Sequence, residues 1–147
     1  MKKILIMLMS VGFNAWANFS GEWIGTGTVE LKSNRLNASF KCDKFELVIN
    51  QNQQKLDLNS CRFVCAGPNG PLEGDCVKAQ FDINGQDLFL YNQKIGTITA
   101  NEIKSKYSGN GYSNTFDAKI ANEVLTLQSA TMAPDSSQTI IRATMNR

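Results

Sequence analysis

The stretch KFELVINQNQQKLDLNSCRFV, residues 44–64, decides the fold. Phe45, Leu47 and Ile49 recur at every second residue, a polar Asn/Gln run follows, and Leu56 and Leu58 resume the same alternation. Successive side chains of a β-strand point to opposite faces, so this pattern describes two strands of a hairpin with one shared apolar face.

Outward from that hairpin the pattern repeats in both directions. Strands are expected at 21–32, 35–41, 43–50, 54–64, 76–83, 86–92, 95–100, 102–108, 112–120, 123–131 and 138–146, punctuated by short Asn/Gly/Ser turns, with no amphipathic helix between them. The apolar parity switches between Phe40 and Phe45. Residues 41–44 therefore hold either a bulge, which gives ten strands, or a tight turn, which gives eleven. Short antiparallel strands that are apolar on one face bury it most simply by closing on themselves, which also removes the sheet edges. The expectation is an all-β, up-and-down antiparallel barrel of about 8–10 strands, with a two-sheet sandwich as the alternative.

Turn placement sets the cross-strand partners. A turn at Ser33-Asn34 puts Leu31 opposite Leu36 and Val29 opposite Ala38. A turn at Asn84-Gly85 puts Phe81 opposite Leu88, and a turn within residues 50–53 puts Leu47 opposite Leu56 and Cys42 opposite Cys61. Continuing the 54–64 strand against the 76–83 strand with Cys65 opposite Cys76 sets Leu58 opposite Ile83 on the apolar face. The expected disulfides are Cys42–Cys61 and Cys65–Cys76. A Cys61–Cys65 bridge would have to join residues about 13 Å apart along one strand, where bonding allows at most about 7 Å.

The compartment is read from the first residues. MKKILIMLMSVGFNAWA carries two lysines, an apolar stretch from Ile4 to Phe13 and then Ala15-Trp16-Ala17, the pattern of a secretory signal peptide cleaved after Ala17. The apolar stretch falls short of the roughly 20 residues of a spanning helix. Residues 18–147 then form a single domain that does not span a membrane, periplasmic or secreted. All four cysteines lie in that part, as two disulfides require. Zinc is the competing use of four cysteines, and the chain has neither a CxxC pair nor a histidine.

Charge narrows the partners. Two of the 15 basic residues, Lys2 and Lys3, lie in the leader, so the remaining 13 balance the 13 acidic ones. The basic residues are scattered rather than clustered, which argues against nucleic acid. With no histidine, Ser-His and Cys-His catalysis are excluded, and Glu73 and Asp75 among Gly and Pro read as solvated turn residues. Gly25 and Gly27 precede no helix that could hold a phosphate. A non-enzymatic protein without metal or cofactor is expected.

Phe19-Ser20-Gly21-Glu22-Trp23 resembles the F-x-G-x-W opening of the calycin superfamily, which includes lipocalins and fatty-acid-binding proteins. Its extension through Ile24-Gly25-Thr26-Gly27 is similar to the G-x-W-x-G-x-G of nitrobindin-like barrels. The resemblance implies that Gly21 and Trp23 close the barrel bottom and that Arg142 of the last strand packs across the indole. It departs from the family in lacking a helical lid, a C-terminal helix and the histidine that haem binding needs. Small periplasmic inhibitors of secreted metalloproteinases are similar barrels, although only Asn18-Phe19-Ser20 precedes the motif here, too little for an inhibitory trunk.

One basic residue falls on the apolar face of the hairpin: Arg62, between Leu58 and Val64, with Ser60 beside it. An inward arginine needs a carboxylate, water or an acidic headgroup as partner. The resemblance to fatty-acid-binding proteins, several of which use interior arginines in that way, admits the headgroup. A bulge between Ser60 and Val64 would instead turn Arg62 out and Phe63 in. The candidate ligand-binding set is Arg62, Ser60, Phe81, Leu88 and Tyr107, and the expected partner is a small hydrophobic molecule, an acidic lipid if Arg62 faces inward. The alternative is a protein partner, such as a secreted enzyme to be inhibited, held by the connections 66–75 and 108–112.

Overall fold

The structure, a computed structural model, describes residues 18–147 apart from Asn69 and Val77. The expected leader, residues 1–17, lies outside the described residues. The strands are β1 (Gly21–Lys32), β2 (Asn37–Gln51), β3 (Lys55–Ala66), β4 (Leu72–Asp75), β5 (Ala79–Asn84), β6 (Asp87–Leu90), β7 (Gln93–Ile98), β8 (Glu102–Gly109), β9 (Tyr112–Ala121), β10 (Val124–Met132) and β11 (Gln138–Asn146). β4 and β5 run along successive lengths of one flank of β3, against Arg62–Cys65 and Lys55–Leu58 respectively. The eleven strands therefore fill ten positions, and β11 returns to pair with β1, closing an antiparallel up-and-down barrel. Closure disposes of the sandwich alternative.

The parity switch between Phe40 and Phe45 is a bulge, between Cys42 and Lys44, so residues 37–51 form one strand. Two glycines in β1 let β11 approach closely where the sheet coils. A Cβ at Gly25 would overlap the Thr144 carbonyl oxygen, and one at Gly27 would overlap the Arg142 carbonyl oxygen and meet the Phe45 ring. Three tight connections hold both central residues at positive φ: Tyr91-Asn92, Asn110-Gly111 and Asn122-Glu123. That is the backbone whose twist matches paired strands.

The turns of the first hairpins lie one or two residues later than the sequence reading placed them. Ser33 N–H donates to the Leu36 carbonyl, and Ser33 Oγ accepts from the N–H groups of Arg35 and Leu36, so the first turn spans Ser33–Leu36. Leu31 then faces Ala38, Val29 faces Phe40, and Leu36 is left half-exposed at the tip. Asn52 Oδ1 accepts from the N–H groups of Gln54 and Lys55 at 2.8 Å each, an Asx turn that sets Gln51 opposite Leu56. Gly85-Gln86, not Asn84-Gly85, tips the β5–β6 hairpin and sets Ile83 opposite Leu88.

These slips correct the disulfides. The bridges are Cys42–Cys65 and Cys61–Cys76, not Cys42–Cys61 and Cys65–Cys76. Cys42 sits directly opposite Cys65 in the β2–β3 ladder, and Cys76 N–H donates to the Cys61 carbonyl at 3.0 Å. Cys61 and Cys65 share a face four residues apart, so a four-residue slip in each ladder exchanges one for the other.

At the end of the barrel where β1 begins, the interior is filled. Phe19 and Trp23 are wholly buried there with Ile49, Leu56, Leu88, Leu125 and Met145. Trp23 Nε1 donates to the Phe19 carbonyl at 2.9 Å, and Gln51 ties Phe19 and Ser20 to β2.

Candidate functional site

Towards the opposite end, where β1 ends, the same inward faces change character. Leu31, Phe40, Leu72, Leu90, Tyr107 and Ile141 pack on the core but are only half-buried. The inward positions of β8, β9 and β10 also become polar: Ser105, Tyr107, Asn114, Ser129 and Thr131 continue the alternation of Ile103, Phe116 and Leu127. No bulge interrupts the β8–β9 or β9–β10 ladder, so these residues share the inner face with their buried neighbours. The barrel is a cup with a packed base and a half-accessible upper interior, apolar over β1, β2 and β6 and polar over β8–β10.

Within the polar wall, Tyr107 faces Asn114 and Asn114 faces Thr131. Asn114 Nδ2 donates to Thr131 Oγ1 at 2.8 Å and to Ser129 Oγ at 3.3 Å. Gly109 leaves room for the Tyr107 ring, which a Cβ at that position would meet at 2.9 Å. The phenol therefore extends along β8 towards the mouth. No charged side chain is buried among the described residues.

The candidate set divides. Phe81 and Leu88 are buried in the packed part of the core, and Tyr107 lies on the wall of the cup. Arg62 and Ser60 are corrections. The β2–β3 ladder shifts register between Val48 and Ile49, opposite Ser60 and Leu58, and the extra residue, Asn59, reverses the phase of β3. Cys61, Phe63 and Cys65 therefore point in, while Ser60 and Arg62 point to solvent. Arg62 meets Glu73 on the outer surface at 3.4 Å, both side chains more than half exposed. Glu73 belongs to β4, where the sequence reading had only a loop.

Barrel closure also needs correction. Trp23 is capped by the last residue, Arg147, whose guanidinium carbon stands 4.5 Å from the indole centroid while Nη2 donates to the Asn18 carbonyl at 2.5 Å. Arg142 lies on the outer face, paired with Glu30. Its place follows from alternation along β11, where Ala143 and Met145 point in and Arg142 and Thr144 point out. Gly21 adopts φ +143° beside the Arg147 side chain, a conformation that favours glycine.

The sequence reading missed Asn114, Ser129 and Thr131. Their signal was present: Asn114 and Ser129 each stand two residues from an apolar inward position, Phe116 and Leu127, and Thr131 continues the same alternation, where a polar side chain on a core-facing register calls for a partner. A groove of about 770 Å³ lies outside the barrel over β1, β8–β11 and part of β2, among Thr26, Thr28, Thr126, Gln128 and Thr144.

No family model matches the chain, nor does any curated protein sequence. Among solved structures it is similar to a Bacteroides ovatus protein of unknown function, with 6% identity and a TM-score of 0.48 over 88% of this chain and 42% of that one. A dog lipocalin allergen follows at 16% identity and TM-score 0.39, covering 89% and 74% of the two chains. The siderocalin Ex-FABP gives 8% identity and 0.30, covering 87% and 69%. The chain thus spans less than half the length of the first of these structures.

Proposed function

We propose that the protein is an exported carrier or scavenger that takes a small, largely apolar molecule into the open half of its barrel. The observation that carries this reading is the burial gradient inside one continuous wall. Inward residues at the Trp23 end are mostly close to fully buried, Ile120 only partly, whereas at the other end Leu31, Phe40, Leu90, Tyr107 and Ile141 are only partly buried beside the buried Val29, Cys42 and Cys65. An apolar inner surface partly within reach of water favours an internal guest. Two disulfides and the leader-like residues 1–17 support an oxidising compartment. No helix among the described residues is long and apolar enough to cross a membrane. The outward positions of β1, β10 and β11 carry Thr26, Thr28, Gln128 and Arg142, opposite in character to the lipid-facing band of a membrane barrel.

The test is binding of the neutral fluorophore N-phenyl-1-naphthylamine, compared between the protein and Ser105→Trp, which fills the cup between Gly96 and Phe116. Saturable binding that weakens at least tenfold in the variant supports the reading. Absence of saturable binding, or equal binding by both proteins, sinks it.

A second reading has its own observation. Four large exposed hydrophobic residues, Leu36, Tyr91, Tyr112 and Met132, lie in or beside the connections that ring the open end, with Tyr91 85% exposed. Such a rim fits a protein partner seated over the mouth. Co-purification of one defined partner, lost on Tyr91→Ser with Tyr112→Ser while fluorophore binding persists, would favour it.

A further inference from the structure

The polar wall of the cup, resting on the carrier reading above, carries information about which molecule enters. We infer that Tyr107, Asn114, Ser129 and Thr131 form a subsite for an uncharged, hydroxyl- or carbonyl-bearing headgroup, and that the guest is a neutral amphiphile rather than a fatty acid.

Both amide hydrogens of Asn114 are committed, to Thr131 Oγ1 and Ser129 Oγ. Asn114 Oδ1 is left to accept, and the two hydroxyls, which serve Asn114 as acceptors, keep their own protons to donate. Tyr107, directly across from Asn114, adds a phenolic O–H nearer the mouth. The cluster thus offers three hydroxyl donors, with Asn114 Oδ1 and the remaining hydroxyl lone pairs as acceptors, within two adjacent rungs of the ladder. An alcohol, which both gives and takes hydrogen bonds, can satisfy it, and an ester carbonyl can accept from its hydroxyls. All four residues are half-buried. Filling the cup with an apolar chain would seal them from water and leave these groups unpaired unless the guest supplies partners.

Charge decides against an acid. Arg62, the cation that would have read a carboxylate, stands outside with Glu73. Among the described residues, no inward strand position carries Lys or Arg. A carboxylate drawn into the cup would lose hydration with no cation to replace it. The opposite wall, with Leu31, Phe40 and Leu90, suits the chain of the same molecule.

The experiment is displacement of N-phenyl-1-naphthylamine at pH 7.5 by 1-dodecanol, monolaurin, dodecanoate and dodecane, on the protein, on Asn114→Leu and on Ser129→Ala with Thr131→Val. Dodecanol or monolaurin should bind at least tenfold more tightly than dodecanoate and dodecane. Either variant should erase that preference. Fluorophore binding with dodecanoate or dodecane equal to the alcohol overturns the headgroup subsite and leaves the carrier reading standing. A preference unchanged in a folded variant likewise removes these residues from the subsite. If the fluorophore and all four compounds fail to bind, the carrier reading falls and the subsite with it. The preference of the unaltered protein decides the matter even where a variant does not fold.

Discussion

Arg147, just past the last strand, lies over the indole of Trp23 in the first strand, at 4.5 Å, and ties the end of β11 to the start of β1 at the base of the barrel. The same guanidinium bonds the Asn18 carbonyl, so one side chain seals the base by stacking and by a charged hydrogen bond. Arg147→Ala should cost roughly 1–2 kcal/mol in urea unfolding. Arg142→Ala removes only an exposed ion pair with Glu30 and should cost under about 1 kcal/mol. The reverse order would return the closing role to Arg142.

Gly25 is fixed by its neighbour strand rather than by its own dihedrals. Any Cβ there runs into the Thr144 carbonyl, which is backbone and cannot swing aside. Gly25→Ala should therefore destabilise by about 1–3 kcal/mol or more. Gly85→Ala, with nothing within 4 Å of the added carbon, bears only the conformational cost of its φ of +63°. Comparing the two unfolding midpoints separates crowding from backbone strain.

The two disulfides close loops of different length, with sequence separations of 23 and 15. A non-reducing peptide map should return Cys42–Cys65 and Cys61–Cys76 peptides. Replacing either pair by serine should cost about 2–5 kcal/mol, with loop entropy separating the two by only roughly 0.4 kcal/mol. A Cys42–Cys61 peptide would contradict the ladder described for β2 and β3.

Those pairings show what alternation can and cannot resolve. Period two marks faces, so Phe45, Leu47, Ile49, Leu56, Leu58 and Phe81 were legible as interior, and with them the all-β barrel. It is blind to slips of an even number of residues. The turns at Ser33–Leu36 and Asn52–Lys55 are built on side-chain oxygens of Ser33 and Asn52, which hold the chain open longer than the dipeptides favoured by the sequence reading. Partners moved by two or four residues while faces stayed. Arg62 is the opposite case: Asn59, one extra residue in β3, reverses every later side chain of that strand, and no local pattern around Asn59 announces it. Asn114, Ser129 and Thr131 were readable in position, but their meaning emerges only when β9 and β10 are paired.

Acid should loosen one outer patch before the rest. The Glu30 carboxyl is held below the usual carboxylate value first by its hydrogen bond to Lys32 and then by Arg142, on the face where β2, β1 and β11 run side by side. A carboxylate whose folded pKa is depressed contributes stability above its unfolded pKa, and that contribution is lost as pH falls through the folded value. The pair is exposed and screened, so its effect on the thermal midpoint should be no more than a few degrees. Glu30→Gln should melt below the unaltered protein at pH 6. The gap should hold above the usual carboxylate value and close only as pH falls through the lowered folded value, where the unaltered side chain also becomes neutral. High salt at pH 6 should shrink the gap in the same way. A gap that high salt at pH 6 leaves unchanged would mean that the glutamate acts through packing rather than charge.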